Sequence, residues 1–181
     1  MIPLTPALLV AAANAFVGLG EEGGDNRGQM VELFLKEVNQ PAGQPWCAAF
    51  VHHAGYWSHY DNLIEKSSWP LPATAGCQEL GEFAKEDKIL LKEPRLGDVF
   101  LLFSIHKQRF AHTGVVLSVE RSLPTAGEDW LFQCKTIEGN TNDDGSDEGR
   151  TTLRKVRWFN TFVGDRFIRW ADLDQRLKAA A

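Results

Sequence analysis

The chain has 181 residues, 44% of them hydrophobic and 24% charged, with a formal net charge of −5 at neutral pH. That length sets a single domain, 1–181, as the expectation, and the apolar content excludes a long disordered chain. The acidic surplus, without any basic patch, argues against nucleic acid as a partner.

The first half reads as helices. ALLVAAANAFVGLG, residues 7–20, is too short to span a bilayer, which takes about 20 apolar residues, so no membrane span is expected. No basic residue precedes it, as a secretory signal requires. It reads as a buried helix from Pro6 to Val17, capped by Thr5 with Pro6 at the favoured first position. GEEGGDNRG, residues 20–28, is a loop. QMVELFLKEV, residues 29–38, has helical spacing at Met30, Phe34 and Val38. NQPAGQP ends that helix. A third helix starts around Trp46 and runs through CAAFVHHAGYW, and TAGCQELGEFAKE, residues 74–86, is a fourth.

The second half reads as strands. GDVFLLFS (97–104), HTGVVLSVE (112–120) and WLFQCKTIEGN (130–140) are apolar, β-branched or alternating, and TTLRKVRW and RFIRWADL supply two shorter strands. The closing KAAA is expected to fray. Helices followed by a run of antiparallel strands define an α+β fold, here with a sheet of about five strands.

Cys47, Cys77 and Cys134 are odd in number and widely spaced, without a C-x-x-C pair. That pattern fits neither a disulfide framework nor a zinc site and leaves at least one free thiol, as in a reducing compartment or a reactive site. Cys47 stands where a helix begins. There, free N–H groups and the helix dipole stabilise a thiolate. A buried packing role is the alternative, because free cysteine is among the most buried residue types.

A cysteine nucleophile needs a base, and five histidines are available. His52 and His53 share the helix of Cys47 but point sideways from it, since only a residue at 51 would share its face. They read as surface or packing residues. His59 and His106 sit in polar, loop-like surroundings. His112 opens a strand between Ala111 and, two residues on, Gly114, where a ring can reach across to a helix end; a loop histidine at a hairpin is the alternative. The next strand ends in TIEGNTNDDG. Glu138 and Asn140 share a face if the strand continues that far, and Gly139 between them allows close approach. Either could fix the histidine tautomer. Asn142 to Ser146 read as an ordinary polar turn.

Together, QPWCAAFV, RLGDVFLLF, AHTGVVLSV and IEGNTNDDGSDEG, in that order, resemble the CHAP family of cysteine amidases and peptidases, papain-like relatives of the NlpC-type cell-wall peptidases. The resemblance runs from about Gly20 to Trp170. It implies a papain-like fold, with Cys47 as nucleophile, His112 as general base, Glu138 as the group that orients it and Asn140 as a polar residue near the site. Asp98, in the Gly-Asp turn, is structural by the same comparison. The family usually has glycine where this chain has Ala111. No cofactor is implied: EEGGDNRG does not match the calcium motif of some members, and NTNDDG lacks the closing glutamate of a calcium loop.

The implied reaction is hydrolysis of a peptidoglycan stem-peptide amide by a Cys-His-Glu mechanism. Peptidoglycan is then the substrate, and a cognate immunity or inhibitor protein is a partner of the kind the resemblance implies. With no visible export signal, the expectation is synthesis in the cytoplasm and action on the wall after delivery by a phage or a contact-dependent secretion system, or a mature form without its leader. Two other functions are compatible with the same residues: a catalytically silent CHAP-like binding module, and a cysteine amidase acting on a non-wall amide.

Overall fold

The computed structural model describes residues 5–60, 69–125, 129–142 and 149–180. Among them are five helices, α1 (Pro6–Ala15), α2 (Gln29–Glu37), α3 (Cys47–Tyr60), α4 (Cys77–Glu86) and α5 (Trp170–Ala180), and six strands, β1 (Leu90–Leu91), β2 (Val99–Ser104), β3 (Arg109–Pro124), β4 (Trp130–Thr141), β5 (Thr151–Asn160) and β6 (Arg166–Ile168). The strands form one antiparallel sheet in the order β1-β6-β2-β3-β4-β5. The protein is therefore α+β, with helices gathered mainly in the first half of the chain. No helix among the described residues is long and apolar enough to cross a membrane.

The local chemistry expected of the first helix is present. Thr5 Oγ1 accepts from Leu8 N–H at 3.3 Å and Pro6 stands in the first turn. The main differences lie elsewhere. The sheet has six strands rather than about five, because the two-residue β1 pairs with β6; two residues are too few to show any alternation. RFIRWADL is strand only as far as Ile168 and then becomes α5. Trp170 and Leu173 are buried from that helix, one turn apart, and Trp170 Nε1 donates to the Gly97 carbonyl at 2.7 Å. Lys178 to Ala180, expected to fray, continue this helix, where Lys178 pairs with Asp174 one turn back at 2.6 Å. His59 lies within α3, not in a loop.

Strand alternation divides the core into two clusters on opposite faces of the sheet. Val99, Leu101, Val115, Ile137 and Ile168 pack with the helices, joining Leu9, Phe34, Trp46, Phe50 and Trp170. Their strand neighbours Phe100, Val116, Phe132, Cys134, Phe159 and Phe167 form the second cluster. At β2, in the middle of the sheet, both faces are apolar, which is why VFLLF reads as a continuous hydrophobic run.

The Gly-Asp turn before β2 is structural. Gly97 takes φ 76° and lies against Pro6 of α1. Asp98 accepts from Arg95 N–H at 2.8 Å and from Arg169 at 3.1 Å, which ties the turn to the segment leading into α5. Burial, only partly offset by Arg169, raises the Asp98 carboxyl to about 6.

Close approach of α3 and β4 brings the front of the helix to the sheet. Gly139 makes it feasible: a Cβ there would lie 2.7 Å from Phe50 and 2.7 Å from Trp46. Gly139→Ala is expected to cost about 1–3 kcal/mol through overpacking, read as a lower urea midpoint. An unchanged midpoint would mean that the helix and strand are not held at this distance.

Candidate active site

Helix α3 begins at the carbonyl of Trp46, which accepts from Phe50 N–H at 2.8 Å, so Cys47 is its first residue. The approach to the helix is fixed by Pro45 and by the Trp46 indole, which donates to Glu21 Oε1 at 3.0 Å. His112 lies on β3 opposite Leu102 of β2, and Glu138 lies near the end of β4.

These three residues form a relay. His112 Nε2 is 2.9 Å from Glu138 Oε2, and the ring lines the same cleft as the Cys47 sulfur, where each shifts the other's titration. With Nε2 committed to the carboxylate, Nδ1 is the nitrogen left for the thiol. Glu138 has no exposed surface. Its Oε1 accepts from Thr136 Oγ1 at 2.5 Å and Arg157 Nε at 2.5 Å, and its Oε2 from Arg157 Nη2 at 2.7 Å. The forked contact with Arg157 is the two-point geometry by which guanidinium binds carboxylate most firmly.

The titration behaviour follows from these contacts. Burial alone would raise the Glu138 carboxyl, but His112 and Arg157 bring it down to about 2. Burial alone would lower the His112 imidazole, but its hydrogen bonds to Cys47 and Glu138, and their charges, raise it to about 9. The Cys47 thiol is held well below its usual range, first by a hydrogen bond from Cys77 and then, against the cost of burial, by His112. Both shifts favour a thiolate beside an imidazolium, the form in which cysteine is a nucleophile.

Two participants carry no signal in the sequence reading. Arg157 sits on β5, opposite Cys134 of β4, and the strand pattern marks it only as a polar residue. Cys77 is the first residue of α4, and its sulfur lies 3.5 Å from that of Cys47. The Cys77 thiol is pushed up, first by its hydrogen bond to Cys47 and then by burial, so Cys77 is the member of the pair that keeps its proton.

Asn140 borders the same cleft but has other partners. β4 continues through it to Thr141, yet the pairing with β5 shifts between Glu138 and Thr141, and Asn140 takes φ 54°. Strict alternation stops there. The Asn140 amide accepts from Trp46 N–H at 3.3 Å and donates to the Gly149 carbonyl at 2.6 Å. It therefore braces the start of α3, while Glu138 holds the histidine.

The other histidines lie apart from this group. His53 is fully buried, with Nδ1 2.6 Å from Glu37 Oε2 and its ring against Phe34 and Phe16. His52 is partly buried, which lowers its pKa. His106 is exposed in the turn between β2 and β3. Cys134 is sealed in the second cluster, where burial and then the charge of Glu120 push its thiol up to about 12. The polar turn read at Asn142 to Ser146 lies, beyond Asn142, outside the described residues.

Cys47, Cys77, His112 and Asn140 open into a cleft of about 360 Å³ whose walls include Thr74, Glu79 and Arg109. A larger hollow of about 670 Å³ lies between α1 and strands β3 to β5, but neither cysteine nor histidine lines it. Cys47 and His112 line the smaller cleft, and Glu138 is buried behind His112. No group of side chains suited to hold a metal ion occurs among the described residues. Comparison with protein-family models, with curated proteins and with solved structures finds no match for this chain.

The relay gives stability a definite pH dependence. Glu138 falls from 4.5 to about 2 on folding, so its contribution is present above about 4.5 and is lost as pH drops toward 2. Urea midpoints of the native protein are expected to decline over that window, and the decline should be smaller in Glu138→Gln. Equal acid declines in both proteins would contradict the assignment of Glu138 as the ionised partner.

Proposed function

We propose that the protein is a cysteine hydrolase that cleaves an amide bond of the peptidoglycan stem peptide, as an N-acetylmuramoyl-L-alanine amidase or an endopeptidase of the CHAP type. The observation that carries this reading is His112, which bonds the buried Glu138 at 2.9 Å and shares one cleft with Cys47. A helix-start cysteine set against an antiparallel sheet that supplies the histidine and the carboxylate also supports a papain-like arrangement. The order of QPWCAAFV, AHTGVVLSV and IEGNTNDDG along the chain supports the CHAP assignment and, through it, the wall substrate.

In this mechanism the Cys47 thiolate attacks the amide carbonyl carbon. Negative charge develops on the carbonyl oxygen, where the N–H groups at the start of α3, including that of Cys47, are placed to receive it. The His112 imidazolium donates its proton to the leaving amine. An acyl-enzyme remains on Cys47. His112, now neutral, takes a proton from water as the water attacks the thioester, and the carboxylic acid product leaves with the thiolate restored. Glu138 keeps the ring oriented and favours its charged form. Arg157 keeps Glu138 ionised.

The test is digestion of purified sacculi, with mass spectrometry of the soluble fragments and a parallel incubation with small non-wall amides. Release of stem peptides from the glycan marks an amidase, and release of shortened or uncrosslinked peptides marks an endopeptidase. Cys47→Ala is expected to abolish release. His112→Ala is expected to lower it by at least about 100- to 10,000-fold, the usual worth of general acid–base catalysis. Cleavage of only the small amides would place the substrate outside the wall. Full activity of the Cys47→Ala protein would remove the mechanism.

A further inference from the structure

We propose that Cys47 and Cys77 form an oxidation site for hydroperoxides, in which Cys77 converts an oxidised Cys47 into a reversible disulfide. The two sulfurs are 3.5 Å apart, each on the first residue of its own helix. Both cysteines are free, and both border the cleft through which a small oxidant would arrive. Disulfide formation requires the sulfurs to close to about 2.0 Å, a movement of about 1.5 Å. Cys134 lies in the separate cluster on the other face of the sheet.

The two thiols have different chemistry. Cys47 carries the thiolate and is the one that attacks. Its sulfur takes one OH of the hydroperoxide as the O–O bond breaks; sulfur is oxidised to the sulfenic acid, and the peroxide is reduced to hydroxide or an alkoxide, which takes the His112 proton to leave as water or alcohol. The charge on Cys47 is thereby lost. The hydrogen bond to Cys47 is the largest cause of the raised Cys77 pKa, so that restraint ends once Cys47 is oxidised. Cys77 then gives up its proton and attacks the Cys47 sulfur. The S–S bond forms, and the departing hydroxide takes up the proton as water. In sum, two thiols and one hydroperoxide give one disulfide, one water and one further water or alcohol.

The disulfide removes the nucleophile, so the hydrolase is off until a thiol or phosphine reductant restores it. Without Cys77, the sulfenic acid would instead continue to the sulfinic acid, which such reductants do not reverse. The inference rests on the reading of Cys47 as the site's thiolate. Its readouts are masses and thiols, so it stands or falls separately from the choice of wall substrate.

The experiment treats the reduced full chain with a small molar excess of hydrogen peroxide, then alkylates, digests and maps it. Titratable thiols in the denatured protein should fall from three to one. The intact mass should drop by two hydrogens, with the Cys47 and Cys77 peptides joined and Cys134 still alkylated. Reductant should reverse all of this. In Cys77→Ser, Cys47 should be trapped by dimedone as the sulfenic acid and then gain a second oxygen irreversibly. Native protein that carries oxygen on Cys47 while Cys77 is still alkylated would overturn the proposal, as would a disulfide that involves Cys134. The native map decides the matter alone, so misfolding of the Cys77→Ser protein would not weaken the test.

Discussion

Glu138 is a carboxylate with no contact with solvent, and such a group is tolerated only when it is paired and hydrogen-bonded. Four side chains meet that need: Thr136, Thr141, His112 and the forked guanidinium of Arg157. Across the site, the positive charges of Arg157 and His112 balance the negative charges of Glu138 and Cys47. Without Arg157, His112 would be the one cation left among these four partners, and the carboxylate would be easier to protonate. A protonated Glu138 no longer favours imidazolium, and without imidazolium the Cys47 thiolate loses a main support. The reactivity of a residue at the start of α3 thus depends on a charge contributed by β5, at the far edge of the sheet.

The fold arranges these groups by ordinary packing. Consecutive hairpins from β2 to β5 set His112, Glu138 and Arg157 on three adjacent strands. Gly139 lets α3 approach β4, and Asn140 clamps the Trp46 N–H just ahead of Cys47. The second cluster, with Phe100 near the His112 ring at 6.0 Å between centroids, gives the imidazole an apolar flank. Burial there strengthens each charged contact, and it makes a missing partner correspondingly costly.

Much of this was legible in the sequence because local patterns carry it. Thr5 and Pro6 announce α1, the helical spacing of Met30, Phe34 and Val38 announces α2, and the β-branched run after His112 announces β3. The position of Cys47 at a helix start and of His112 near the beginning of a strand followed from short-range signals. The missing parts depend on contacts between distant segments. Leu90–Leu91 becomes a strand only by pairing with β6. Trp170 and Leu173 sit in a stretch apolar enough to read as strand, and burial from a helix decides otherwise. Arg157 is one of several basic residues in a polar-looking strand, and its role appears only when β5 lies beside β4. Cys77 and Cys47 are thirty residues apart, a separation that no cysteine motif marks. The end of β4 was not legible either: a positive φ at Asn140 and a shift in the pairing with β5 interrupt the regular alternation there.

The central claim is that Cys47 is ionised at neutral pH, held there by the hydrogen bond from Cys77 and by the charge of His112. Ultraviolet absorbance of the thiolate, titrated from neutral to acid pH, measures this without any substrate. The native protein is expected to show a thiolate signal at neutral pH that disappears only on acidification and is missing in Cys47→Ala. In His112→Ala, the transition should move up toward the ordinary thiol range near about 8.5. A native signal that rises only in that ordinary range, or one unchanged by Cys47→Ala, would contradict the account.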